Sequence, residues 1–62
     1  MQVKKEIAKM IYENYKNLAN SCASYEEADQ LIKTIADDER ISAKQYCNLR
    51  HIAIKSAYEA QL

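Results

Sequence analysis

The chain has 62 residues, with 9 Lys plus Arg against 9 Asp plus Glu, 2 Cys, 1 His and no Gly, Pro, Trp or Phe, so it makes one domain at most. Without glycine there is no low-cost positive-φ backbone for a phosphate cradle, a nucleophile elbow or a primed hairpin turn, which excludes Walker, Rossmann and α/β-hydrolase sites. A formal net charge of zero removes long-range attraction to polyanions and counts against nucleic acid and anionic membrane as partners.

The first segment sets Val3, Ile7, Met10, Ile11, Tyr15, Leu18 and Cys22 at alternating three- and four-residue steps, one continuous face at about 100° per residue. It predicts a helix over residues 2–21. Lys5, Lys9, Glu13, Lys16 and Asn20 form its wet side, and Asn17, Asn20 and Ser21 are the residues to end it, with a left-handed asparagine in place of the missing glycine. Ser24-Tyr25-Glu26-Glu27 is a capping box, in which the serine hydroxyl accepts from the Glu27 amide and the Glu27 carboxylate reaches back to the Ser24 amide. A second helix follows over residues 25–37, with Ala28, Leu31, Ile32, Ile35 and Ala36 inward. Ser42-Ala43-Lys44-Gln45 is a second box, flanked by Ile41 and Tyr46 as a hydrophobic staple. It opens a third helix over residues 43–61. The short joint between helices 2 and 3 predicts a helical hairpin. The reading is therefore an all-α three-helix unit, a single domain over residues 1–62, with a core of Ile7, Met10, Ile11, Leu18, Leu31, Ile32, Ile35, Tyr46, Leu49 and Ala53.

Helix 3 differs from the other two. Lys44, Asn48, His51, Lys55 and Glu59 fall within a sector of roughly 80°, and most of the remaining circumference is apolar or small. One side offers Tyr46, Leu49, Ile52, Ala53, Ser56 and Ala60, and the other Cys47, Ile54, Ala57 and Tyr58, with Arg50 among them. Such a helix is expected to be covered on two sides. Helices 1 and 2 cover one, which leaves Tyr46, Cys47, Arg50, Ile54, Ala57 and Tyr58 as the expected partner-binding residues and a homodimer through helix 3 as the expected assembly. A chain this short buries only about 60% of its unfolded surface, so added burial against a partner would help it.

The inventory for chemistry is thin. Cys47 and His51 are lateral neighbours on helix 3 but lack an orienting third group or an oxyanion donor, so no enzyme is expected. Cys22, Cys47 and His51 supply three of the four ligands a structural zinc needs, without a paired knuckle, and Asp37-Asp38-Glu39 lacks the mid-loop glycine of a calcium loop. No metal or cofactor is expected. Two cysteines and no apolar leader or membrane-length run point to reduced thiols in the cytoplasm.

Helix 2, its joint and helix 3 also permit a helix-turn-helix reading, with Lys44, Gln45, Asn48, His51 and Lys55 toward a major groove. Zero net charge, two arginines and an acidic turn weigh against it. Cys22-Ala23-Ser24, Leu31-Ile32 and Ile41-Ser42 before a long last helix resemble the haemolysin-expression-modulating family of small nucleoid-protein partners. That resemblance covers helices 2 and 3 alone. Tyr46-Cys47-Asn48-Leu49-Arg50-His51-Ile52-Ala53-Ile54 departs from the family's Ala-Ala-Asp-His-Arg run, so no functional residue is carried across. The function expected from the residues is a small protein-interaction module that regulates or inhibits a larger partner through helix 3, with a dimeric DNA-binding regulator as the alternative.

Overall fold

A computed structural model describes the backbone of residues 2–62 and the side chains of residues 5–62. Among these, the chain forms three helices, α1 (Gln2–Asn20), α2 (Tyr25–Ala36) and α3 (Ala43–Gln61), and no strand. The helix starts follow the serine caps. Ser42 shows the full reciprocal box: its Oγ accepts from Gln45 N at 3.2 Å and its own N donates to Gln45 Oε1 at 3.1 Å. Ser24 Oγ accepts from Glu27 N at 3.2 Å, but the Glu27 carboxylate takes the Ala23 amide at 2.8 Å, one residue earlier than the box predicts. Two orphan donors at the helix start are still satisfied.

The end of α1 corrects a second expectation. No described residue has positive φ, so no asparagine adopts the left-handed cap. The chain closes α1 with tight backbone bonds, Ser21 N to Leu18 O at 3.1 Å and Cys22 N to Ala19 O at 3.3 Å. Asn20 Nδ2 and Ser21 Oγ donate to the Lys16 and Asn17 carbonyls. Polar side chains do here what glycine does elsewhere.

Helix α3 is the spine. Both α1 and α2 pack mainly on it and touch each other little, giving a body of 44 × 17 × 15 Å. The buried residues of the core are small: Ala19 and Cys22 of the α1 end, Ala28 of α2, and Ala53 and Ala57 of α3, with Ile35 and Leu49 the largest side chains fully enclosed. Small residues let helix backbones approach closely, and that choice overrides the apolar periodicity of α1. Ile7, Met10 and Leu18, expected in the core, are 49%, 64% and 54% exposed. The inward face is instead Ala8, Ile11, Tyr12, Tyr15, Ala19 and Cys22, a rotation of about 70° at 100° per residue. The expected inward place of Val3 lies outside the described side chains.

Two polar ties hold α1 in that rotation. The Ser56 hydroxyl of α3 lies 2.9 Å from both the Asn20 and Cys22 carbonyls, so its one proton is shared between the two free acceptors at the α1 end. Five residues before Asn20, Tyr15 Oη donates to Asp38 Oδ2 at 2.7 Å. Arg40 grips the same carboxylate with Nε at 2.8 Å, Nη2 at 2.7 Å and its backbone N at 3.0 Å. The Asp38 side chain is 6% exposed, and α1 is thereby clasped to the α2–α3 loop.

Candidate interaction surface

Helix α3 presents the predicted polar strip to water: Lys44, Asn48, His51, Lys55 and Glu59 are all exposed. Tyr46, Leu49, Ile52, Ala53 and Ser56 turn inward. The six residues expected to bind a partner divide into three groups. Cys47, Arg50, Ile54 and Tyr58 are exposed, Ile54 at 36% and Tyr58 at 55%. Tyr46 is half-buried in a hollow with Ile35, Ala36 and Ile41, where it completes the staple at the start of α3. Ala57 is fully buried. Its small size serves helix approach within the chain, which corrects its placement on the partner face.

The exposed group extends onto α2. Arg50 and Ile54 line an open groove of about 330 Å³ with Tyr25, Ala28, Asp29 and Ile32. Tyr25 is 51% exposed, and sequence reasoning left it unassigned because it stands at the first helical position beside its cap. The signal was available: Tyr25 and Ile32 are two turns apart and share one face of α2. Ile32, read as core, is half-buried at the lip of this groove.

Arg50 is the group that defines the surface. The loop before α3 carries three acids, Asp37, Asp38 and Glu39. Asp38 is already held by Arg40 and Tyr15, and Asp29, in the same groove as Arg50, pairs with Lys33 at 3.2 Å. Among the described residues the Arg50 side chain has no hydrogen bond and no ion pair. A guanidinium that shares its groove with exposed Tyr25 and with Ile54, and has no partner of its own, combines the residue types in which interface energy concentrates.

The nucleophile and metal-ligand candidates do not assemble. Cys22 is buried, with Sγ donating to Leu18 O at 3.6 Å, and burial first, then the Glu27 charge, raises its thiol pKa. Its carbonyl touches Ser56, nine residues along α3 from Cys47, or about 13 Å of helix, too far for a Cys22–Cys47 disulfide or a shared metal. Among the described residues no group of three or more His, Cys, Asp or Glu is placed to hold a metal ion, and no helix is long and apolar enough to cross a membrane. The chain matches no protein-family model, no curated protein and no solved structure.

Proposed function

We propose that the chain is a small protein-interaction module whose working surface is the outer face of α3, Cys47, Arg50, Ile54 and Tyr58, continued onto α2 by Tyr25 and Ile32. It regulates by occupancy: a protein surface seated on this face is unavailable to anything else. The observation that supports this most directly is the unpaired Arg50 amid exposed apolar and aromatic side chains. Tyrosine and arginine are the residue types enriched in the cores of interfaces. A cytoplasmic setting, in which exposed Cys47 stays reduced, suits the reading.

The test is affinity capture from native lysate with the chain itself and with face variants. Arg50→Ala and Ile54→Asp should each deplete the captured protein at least about tenfold, while Lys16→Ala, at an exposed α1 residue outside this face, should leave it. Equal capture by all three variants would remove the reading. A salt-sensitive shift of duplex DNA at micromolar protein, lost in Lys44→Ala and Lys55→Ala, would move the function to the polar strip of α3 instead.

A further inference from the structure

We infer that the occupant of the α2–α3 face is a second copy of this chain, paired antiparallel about a two-fold axis that crosses α3 at Ile54; the inference rests on reading that face as an interaction surface.

The first support is the weakness of the monomer's core. Of the fully buried side chains described, Ala19, Ala28, Ala53 and Ala57 are alanines and Cys22 is scarcely larger, leaving Ile35 and Leu49 as the bulky ones. Alanine removes little apolar area from water, so much of the burial comes from half-covered side chains such as Leu31, Ile32 and Ile52. Tyr58, Tyr25 and Ile54 meanwhile stay 55%, 51% and 36% exposed, and Ile7, Met10 and Leu18 on α1 stay exposed as well. A partner that completes the fold must be present whenever the chain is, in equal amount, and a second copy meets both conditions.

The second is area. The chain exposes 4842 Å², whereas a compact monomer of 7.2 kDa exposes about 4,100 Å². That excess of about 700 Å² is spread over an elongated body of 44 × 17 × 15 Å, and side-by-side pairing along its length can cover surface on the order of the roughly 800 Å² that each partner contributes to a standard interface.

The third is complementarity of the face to itself. In an antiparallel pair centred on Ile54, the two isoleucines meet, and residues four before the centre lie opposite residues four after it. Arg50 of each copy then lies against Tyr58 of the other, two symmetric cation–π contacts from one patch. A parallel pair instead sets Arg50 against Arg50, like charge on like. The zero net charge of the chain means that two copies do not repel each other globally.

Sedimentation equilibrium from micromolar to millimolar chain decides it. The expected result is a species of twice the 7.2 kDa chain, with a thermal midpoint that rises with concentration. Ile54→Asp and Arg50→Ala should each weaken it at least about 30-fold, and Lys16→Ala should not. The register has its own test. Two Cys47 residues in this arrangement lie about 21 Å apart along the helices, beyond the roughly 7 Å that a disulfide spans between Cα atoms. Mild oxidation should therefore leave the native chain uncrosslinked and should link Ile54→Cys in a Cys47→Ser background. A 7.2 kDa species throughout, or crosslinking through Cys47 with Ile54→Cys left reduced, would overturn the inference. If the native chain is monomeric while the face variants still lose a lysate protein, the occupant is foreign and the interaction reading survives; a monomer with unchanged capture removes both.

Discussion

The Asp38 carboxylate accepts four hydrogen bonds from two residues, one from Tyr15 and three from Arg40, and that makes it a source of pH dependence. Arg40 first, then Tyr15, hold its carboxyl well below the usual carboxylate range. A depressed folded pKa contributes stability in full above the unfolded value, near 4, and loses it as pH falls through the folded value. The Tyr15 hydroxyl is raised, chiefly by its hydrogen bond to Asp38, so its contribution is complete below about pH 10 and is lost as pH rises beyond that. The clasp is thus intact across the neutral range. Thermal melts followed by circular dichroism should show the native midpoint falling below about pH 4, and Asp38→Asn should flatten that fall. An equally steep acid limb in Asp38→Asn would place the dependence on other carboxylates. The serine caps act at the same scale. Ser42→Ala and Ser24→Ala should each cost about 0.5 to 2 kcal/mol in urea melts, and unchanged stability in both would show that the helix starts are held by packing alone.

At the scale of the element, α2 and α3 were legible in the sequence because two serine boxes mark their starts and the inward residues Ala28, Ile35, Leu49 and Ala53 follow the helical period. Helix α1 was legible in extent and misread in rotation. Periodicity weighs every large apolar residue as a vote for the core, and Ile7, Met10 and Leu18 outvoted Ala8 and Ala19. The structure gives the decision to Ala19, which fits against the small face of α3, and to Tyr15 and Ser56, whose partners Asp38, Asn20 and Cys22 are polar groups that a hydrophobic pattern does not count. The exposed position of Arg50, Ile54 and Tyr58 on α3, on which the proposed partner face rests, was legible in the helical period. The α2 half of that face was not, because which residue of α2 lies beside Ile54 depends on the hairpin's register. Truncation separates the two assignments of α1. Leu49→Ala should cost about 2 to 5 kcal/mol, a large part of the roughly 3 to 9 kcal/mol expected for the whole chain, whereas Met10→Ala should change stability by no more than about 0.5 kcal/mol. Comparable losses from both would return Met10 to the core.

For the molecule as a whole, the spacing between helices is set by alanines, and Ala57 is where that can be tested against the alternative role once expected of it. Fully buried on α3, it belongs to the cluster with Ala19, Cys22 and Ala28 that joins all three helices, so there is no free volume into which a larger side chain could extend. Ala57→Leu adds apolar surface, which on an exposed partner face would be tolerated by the monomer and would tighten association. In an alanine-spaced core it must instead push α1 and α2 off the spine, at a typical cost of about 1 to 3 kcal/mol. The Ser56 tie is one residue away and feels the same displacement, so the amides of residues 20–23 should lose hydrogen-exchange protection before the rest of the chain. The expected outcome of Ala57→Leu is therefore a lower urea midpoint at fixed chain concentration, accompanied by faster exchange at the α1–α2 corner. A higher midpoint, with protection at that corner unchanged, would mean that Ala57 faces outward and that the helices are not spaced by it.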